Sequence, residues 1–415
     1  MPRRIDYRRR TKLICTIGPA TGSAAMIERL VKAGMNIARL NLSHGSLPDH
    51  SRYIKTIRKV EQRLGAGVGI LMDLPGPKYR TGELQGGSVV LKKGAQFILT
   101  TRQIVGNESE VPVNLPTLPE DVRAGDTVLL DDGAIQLKAI RVSGTDVTCK
   151  VVVGGVLTPG RGVVVPGMRI STPFVTEQLR NNIDFALSEQ PDYIALSFVS
   201  KAEDVEQVKA ILAKKASDIP IISKIERGEA VGNFDRILKV SDGIMVARGD
   251  LGVDIPLEKI PLKQKEIIRK CNRAGKAVIT ATQMLESMIN AARPTRAEVT
   301  DIANAILDGT DAIMLSAETS IGKYPLQAVR MMAQIAQETE RELPYELMLT
   351  ERGKWLEHET DELISYNACY TAYWLGAKAI VAFTQSGSTA RRVSKYRPRM
   401  PILAITPSKT VSGRL

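Results

Sequence analysis

Short apolar runs and amphipathic stretches alternate along most of this chain. KLICTIG (Lys12 to Gly18) reads as a buried strand, and Ser23 to Ala33 has helical spacing at Met26, Leu30 and Val31 before Gly34 stops it. Met35 to Leu40 repeats the strand, Leu47 to Leu64 the helix, and Val68 to Leu74 forms a third strand. Such alternation argues for a parallel α/β architecture. From Gly82 to Pro166 the texture changes to short β-rich runs of period two, punctuated by Gly, Asp and Pro, which predicts a small all-β domain inserted into the α/β chain. The alternation resumes with a helix from Thr176 to Glu189, a strand from Asp192 to Phe198 and a helix from Ala202 to Lys215. A strand at Ile221, a charged helix, and strands Gly243 to Ala247, Lys276 to Ala281 and Asp311 to Ala317 follow. Strands starting at 12, 35, 68, 193, 220, 243, 276 and 311 make eight. Eight parallel strands with intervening helices make a TIM barrel, whose active site lies at the carboxyl ends of its strands.

A third region follows the helix Pro325 to Glu342. It holds a helix around Asp361 to Leu375, a strand Ala379 to Phe383, the loop TQSGSTA, a helix Thr389 to Lys395 and a strand Pro401 to Ile405. That order suits a doubly wound α/β domain, of which two strands are an incomplete part. The expected organisation is residues 1–81 as the first part of the barrel, 82–166 as an inserted β lid, 167–343 as the rest of the barrel, and 344–415 as an incomplete C-terminal α/β domain.

Composition narrows the function classes. A hydrophobic share of 43% and a charged share of 25% fit a soluble globular chain, and 415 residues suffice for two or three domains. The formal charge of +12 suits anionic small substrates, because basic residues cluster only at Arg3, Arg4 and Arg8 to Lys12 and the rest are dispersed. Aromatics at 4% give little for stacking on bases, so nucleic acid is not the expected partner. Cys15, Cys149, Cys271 and Cys369 lie far apart without a CxxC pair, which argues against a disulfide framework or zinc knuckle and for a reduced, cytoplasmic location. The start MPRRIDYRRR has no apolar core of a signal peptide, and no run of about 18 apolar residues suggests a membrane span.

The carboxyl ends of the eight strands collect Arg39, Asn41, Ser43, Asp73, Lys78, Arg80, Ser197, Lys224, Glu226, Arg248, Asp250, Thr282 and Ser316. Each alone suits a solvated strand end; their convergence on one rim is hard to explain as packing. Lys224 precedes Glu226 by two residues, so strand alternation points both to one face. Glu226 and Asp250 are hard oxygen donors on neighbouring strands, a set suited to Mg²⁺ (or Mn²⁺) completed by water and phosphate. A cation, a metal and a phosphate-sized gap would stabilise negative charge in phosphoryl or enolate chemistry. His44 is expected to hold a structural or phosphate-adjacent hydrogen bond, and MLESMI (Met284 to Ile289) to be helix core.

The strings CTIGPA, ARLNLSHG, GPKYRTG, ISKIE, VARGDLGVDIP, ITATQMLESM, PTRAEVTDIANAILDGTDAIMLSAET and GKYPLQAV, in this order, resemble pyruvate kinases from Thr11 to the chain's end. The resemblance implies transfer of the phosphoryl group of phosphoenolpyruvate to ADP, giving ATP and the enolate of pyruvate. It implies that Lys224 stabilises the phosphoryl in flight and the enolate oxygen, that Glu226 and Asp250 hold Mg²⁺, and that Arg39 faces the phosphates as a catalytic and substrate-binding group. Thr282, with Ser316, would serve substrate placement and the proton path, and the Gly249 and Asp250 amides would hold the substrate carboxylate. Asn41, Ser43, His44 and Arg80 match nucleotide contacts, as does Arg161 on the lid, where the family usually has lysine. The insertion would swing over the barrel mouth.

Two departures alter what is implied. Asn41, Ser43, Asp73 and the Leu74 carbonyl correspond to a K⁺ site, but GPKYR carries Lys78 where potassium-dependent relatives carry Glu, so an ammonium there could make K⁺ unnecessary. Thr384, Ser386, Gly387, Ser388 and Thr389 resemble a sugar-phosphate effector loop, though the strands that normally complete that pocket do not follow. Homo-oligomers, dimer or tetramer, are usual in the family. A Mg²⁺-dependent enolate lyase or aldolase would also need two acids and a basic residue. A silent regulatory relative would be expected to lose Lys224, Glu226 or Asp250; all three are present.

Overall fold

Eight parallel strands close into a barrel in the computed structural model, which describes residues 9–356 and 359–415. Arg3, Arg4 and Arg8 of the basic amino end lie outside the described residues. The barrel strands are Lys12–Thr16, Ile37–Asn41, Gly69–Leu74, Tyr193–Leu196, Ile221–Ile225, Gly243–Ala247, Ala277–Ala281 and Ala312–Leu315. Each pairs with its neighbours in sequence, and the first closes on the eighth with Lys12 opposite Ala312. The fold is a TIM barrel with an inserted β unit and a C-terminal α/β unit.

Alternation sorts the strand side chains into two cores. Ile14, Leu71, Ala195, Ile222, Met245, Ile279 and Met314 fill the barrel. Leu13, Leu40, Ile70, Ile194, Ile221, Val246, Val278 and Ile313 pack against the surrounding helices. Two residues further along the inward series stand Thr16, Arg39, Asp73, Ser197 and Lys224, all buried. The barrel interior is therefore apolar below and polar in its last layer, at the carboxyl ends of the strands.

Local chemistry sets the helix limits. Ser23 caps the helix Ala24–Ala33 by accepting from the Met26 amide, and Thr295 with Glu298 forms a capping box on Arg296–Asp308. Lys276 closes the carboxyl end of Phe234–Val240, donating to the carbonyls of Leu238, Lys239 and Ser241 at 2.6–2.8 Å.

Two elements differ from the sequence expectation. The charged helix before the sixth strand is two, Gly228–Gly232 and Phe234–Val240, broken where Gly232 and the weak helix former Asn233 adjoin. The sixth strand ends at Ala247 as expected, and Arg248–Asp254 directly after it is helical. MLESMI forms only a 3₁₀ turn at Glu286–Ile289, because carboxylates satisfy its amides instead: Glu318 accepts from Leu285 at 3.1 Å and Glu298 from Ser287 at 2.8 Å. Met284, Leu285 and Met288 are nonetheless buried.

The insertion is a seven-stranded sheet running from Tyr79–Arg80 at one edge to Glu110–Pro112 at the other, with a second pair of strands, Val89–Leu91 and Gly155–Leu157. Its own core includes Phe97, Leu99, Val128, Leu137 and Val147. The chain leaves the barrel on Tyr79–Arg80 and returns on Gly162–Val164, and these two segments pair antiparallel.

In the C-terminal unit a parallel pair, Ile380–Phe383 and Ile402–Ile405, packs with helices Thr360–Trp374 and Ser388–Lys395. Val381 and Phe383 are 51% and 74% exposed, so one face of this sheet is open. Cys15, Cys149, Cys271 and Cys369 are all buried and free. Among the described residues no helix is long and apolar enough to cross a membrane.

Arg397 ties this unit to the barrel floor. It donates to the Thr310 carbonyl at 3.2 Å, Asn272 Oδ1 at 2.9 Å, Asp311 Oδ1 at 2.8 Å and the Gly309 carbonyl. Arg397→Ala should loosen the attachment by about 2 kcal/mol, the scale of hydrogen bonds to a charged group. Limited proteolysis should then release fragments from residues 345–415 sooner, while the barrel resists as before.

Candidate active site

The last inward layer of the barrel holds a cluster of paired charges. Arg39 stands opposite Thr16 in register, and Asn41 opposite Asp73. Arg39 donates twice to Asp73 Oδ2, from Nε at 2.9 Å and Nη2 at 2.7 Å, and to Thr16 Oγ1 at 2.9 Å. Lys224 Nζ lies 3.2 Å from Asp73, 2.7 Å from Ser197 Oγ and 2.9 Å from Glu226 Oε1. Ser197 Oγ donates to Asp73 Oδ1 at 3.1 Å, and the Phe198 amide donates to Glu226 Oε2 at 2.6 Å.

Burial and pairing oppose each other here, and their balance differs from group to group. Burial would raise the Asp73 carboxyl, but Lys224 and Arg39 outweigh it and hold it below the usual range. Burial would lower Lys224, yet Asp73 and Glu226 keep its ammonium charged more firmly than normal. For Glu226 burial wins: the carboxyl is raised, Lys224 opposes this, and the nearby carboxylates of Asp250 and Asp73 add to it. Glu226 and Asp250 stand at neighbouring strand ends, each paired with an ammonium, Lys224 for the first and Lys78 for the second. Among the described residues no group of three or more His, Cys, Asp or Glu is placed to hold a metal. Two carboxylates completed by water and phosphate are nevertheless an ordinary Mg²⁺ donor set, so the residues fit that ion.

Lys78 is placed differently from the sequence expectation. Its ion pair is with Asp250 Oδ1 at 2.5 Å, and its ammonium lies 5.2 Å from the centre of the Phe198 ring. Three of the four groups expected to form a K⁺ site have other partners: Asn41 Oδ1 accepts from the Ser43 amide at 3.2 Å, Asp73 is held as above, and the Leu74 carbonyl accepts from the Ser197 amide at 3.2 Å. The loop from Pro75 to Lys78 runs close over the fourth strand's exit. A Cβ on Gly76 would meet the Ser197 carbonyl oxygen at 2.1 Å, so only glycine fits there.

Thr282 ends the seventh strand with φ +69°, followed by Gln283 at +53°. Its Oγ1 accepts from the Gly249 amide at 2.8 Å and donates to the Ala281 carbonyl at 2.5 Å. Across the rim, the Ser316 amide donates to Glu318 Oε2 at 2.7 Å. Glu318 is buried, and burial raises its carboxyl although backbone amides partly offset this.

The nucleotide candidates lie toward the lid. Arg80 donates to the Gly160 carbonyl at 2.9 Å, and Arg161 binds Thr158 Oγ1 at 2.6 Å and Asp131 at 3.1 Å. His44 is lowered by desolvation and by the positive charges of Arg80 and Arg39. Its carbonyl is hydrogen-bonded to His50 Nε2 at 2.8 Å. The effector-loop candidates lie in the C-terminal unit, where Gly387 (φ +85°) caps the helix Ser388–Lys395 and donates to Thr384 Oγ1 at 2.9 Å. There Ser386 and Ser388 bond each other at 3.1 Å.

The segment directly after the insertion rests on the rim. Gly167 N donates to Asp254 Oδ1 at 3.3 Å, and Arg227 donates to the Met168 carbonyl. A cavity of about 30 Å³ is left among Lys78, Phe198, Glu226, Asp250, Val163 and Met168, room for about one water. A larger cavity of about 100 Å³ lies between the barrel and the C-terminal unit, lined by Arg10, Tyr345 and Met400. It holds none of the rim groups, so chemistry rather than size marks the site.

Sequence reading left three contributors without a role. Ser197 was visible as a polar strand end, but its bonds to Lys224 and Asp73 depend on the barrel's closure. Phe198, at φ +59°, aims its amide at Glu226, and nothing in its side chain signals that. Glu318 looks like an ordinary helix-start acid and is in fact buried.

The chain matches the family model for the pyruvate kinase barrel domain over residues 8–329 and that for the pyruvate kinase alpha/beta domain over residues 362–415. A pyruvate kinase of Bacillus licheniformis is 47% identical over 410 residues, which is 98% of this chain and 70% of that protein. One of Staphylococcus saprophyticus is 48% identical over 403 residues, covering 96% of this chain and 69% of its own. A solved structure of a pyruvate kinase from Cryptosporidium parvum superposes with a TM-score of 0.93 at 41% identity, covering 98% of this chain and 85% of that one.

Because His44 is lowered in the folded chain, its protonation favours unfolding: the stability it carries is lost as pH falls through its ordinary value of 6.5. Arg80→Ala removes one of the repelling cations, so the His44 titration followed by NMR should move upward. An unmoved or lowered midpoint would show that the two groups do not share a field.

Proposed function

We propose, from the premise that this chain belongs to the pyruvate kinase family, that the charged layer around Lys224 is where the phosphoryl group of phosphoenolpyruvate passes to ADP. The chain is an enzyme of that family, a phosphotransferase, and its products are pyruvate and ATP. The observation that carries the site assignment is the placement of Lys224, buried between Asp73 and Glu226 and kept cationic by them. Phosphoryl transfer asks mainly for positioning and for neutralisation of spread negative charge.

Lys224 presents a fixed ammonium to the phosphoryl in flight and then to the enolate oxygen it leaves behind. Arg39, one strand pair away, faces the same phosphate from a position fixed by Asp73 and Thr16. Mg²⁺ or Mn²⁺ held by Glu226 and Asp250 supplies, when bound, Lewis-acid neutralisation of the phosphoryl and enolate oxygens. The Asp250 amide receives the substrate carboxylate, joined by the Gly249 amide once that N–H exchanges Thr282 Oγ1, its acceptor in this structure, for the substrate. Thr282, in a backbone conformation that β-branched residues rarely adopt, serves the proton path to the enolate carbon together with Ser316. Asn41, Ser43, His44 and Arg80 on the barrel and Arg161 on the lid bind the nucleotide. The insertion is proposed to act as a lid that opens to admit substrate and closes to exclude water.

Lys78 adds a permanent positive charge to this rim, and the enzyme is accordingly proposed to work without K⁺. The loop from Thr384 to Thr389 carries four hydroxyls and a glycine at the start of a helix, and a sugar-phosphate effector there is a proposal of the same kind, as is assembly into a homo-oligomer.

Two measurements test these assignments. In a coupled assay for pyruvate, Lys224→Met should cut turnover by about 10²-fold or more, the scale for removing one transition-state donor. Equal rates in both proteins would defeat the mechanism. Replacing K⁺ by a bulky organic cation at constant ionic strength should leave turnover within about twofold, whereas a loss of about tenfold (about 1.4 kcal/mol) would sink the role given to Lys78.

A further inference from the structure

Thr282 and Gln283 are consecutive non-glycine residues with φ of +69° and +53°. Left-handed backbone costs about 1–3 kcal/mol at each such position and persists only where its surroundings impose it. What imposes it here is Arg248. Its Nη2 donates to the Thr282 carbonyl at 2.7 Å and its Nε to the Ala281 carbonyl at 3.3 Å, so one guanidinium grips both carbonyls of the turn. Nη2 also lies 2.8 Å from the Met284 sulfur, beyond the turn.

The guanidinium is itself anchored. Nη1 lies 2.8 and 2.6 Å from the two carboxylate oxygens of Asp301 and 3.4 Å from Gln264 Oε1, and the Arg248 side chain is only 11% exposed. The next residue completes the clamp from the other side, since the Gly249 amide donates to Thr282 Oγ1 at 2.8 Å. Two successive residues at the end of the sixth strand thus hold Thr282, one by its backbone and the other by its hydroxyl.

We infer that Arg248 is the positioning residue for the proton step, holding Thr282 in its left-handed conformation so that the hydroxyl faces the reacting carbon. This rests on the reading of Thr282 given above. Arg248 touches no reacting atom; it acts through the carbonyls of Ala281 and Thr282, with Asp301 as its anchor. A planar fork is required, because one group must reach two carbonyls and a carboxylate together. Lysine keeps the charge and loses that geometry.

The test separates the two halves of the reaction. Phosphoryl transfer is followed as ATP formed in a single turnover with enzyme in excess, and protonation as entry of solvent deuterium into the pyruvate methyl group. Arg248→Lys should leave ATP formation within about threefold and slow deuterium entry by about tenfold or more, within the range of general acid–base contributions. Asp301→Asn, which removes the anchor and leaves every group facing substrate in place, should give the same split with a smaller loss. Combining Arg248→Lys with Thr282→Ala should be no worse than Thr282→Ala alone, since the two would act as one unit. Equal losses in both half-reactions, or fully additive losses in the double variant, would overturn the positioning role. If Thr282→Ala slows deuterium entry and neither Arg248→Lys nor Asp301→Asn does, the inference about Arg248 fails alone. If Thr282→Ala itself leaves deuterium entry unchanged, the reading of Thr282 fails and the inference falls with it.

Discussion

The site depends on one arrangement of charge: an ammonium at Lys224 and a guanidinium at Arg39 sharing the carboxylate of Asp73 at the top of a closed barrel. None of the three is more than 9% exposed by its side chain, so each would be costly to bury alone. Barrel closure makes the burial tolerable, because the second, third, fourth and fifth strands bring Arg39, Asp73, Ser197 and Lys224 to one layer, where every charge finds a partner. Glu226 balances differently. Burial raises its carboxyl, with Lys224 opposing and Asp250 and Asp73 adding to it, whereas that of Asp73 is lowered by its two cations.

Much of this was legible in the sequence. The strands announced themselves as apolar runs, and period two was enough to place Lys224 and Glu226 on one face. The count of eight strands led directly to the barrel, and the shift to short Gly- and Asp-punctuated runs marked the insertion. Roles that follow from a residue's own type and spacing were therefore accessible. What was not legible depends on backbone geometry or on distant partners. No residue preference announces a left-handed Phe198 or Thr282, and both conformations exist because neighbouring strands hold them there. Arg248 read as one more polar strand end, since its partners Asp301 and Gln264 come from two later helices. Lys78 was expected to stand in for K⁺, and its pairing with Asp250 was not visible because it depends on the glycine at position 76, which lets the loop cross closely over the fourth strand's exit.

Lys78 and the lid illustrate how one residue can belong to two units. The side chain starts in the loop that leads into the insertion, packs under Gly162 where the insertion returns, and ends on Asp250 of the barrel. The same carboxylate is one of the two offered to the divalent cation. A divalent cation held as proposed would therefore share Asp250 with a side chain from the root of the insertion.

The antiparallel pairing of Tyr79–Arg80 with Gly162–Val164 has a consequence for how the chain folds. The ends of the insertion are stapled together at its root, so once the insertion has formed, the barrel sees a short link between its third and fourth strands rather than a long excursion. Loop-closure entropy grows with the length of chain left free, and folding slows as contacts become more distant along the chain. An insertion with its own core can collapse first and shorten the effective distance between Leu74 and Tyr193, so the largest interruption of the barrel need not be the slowest step in closing it.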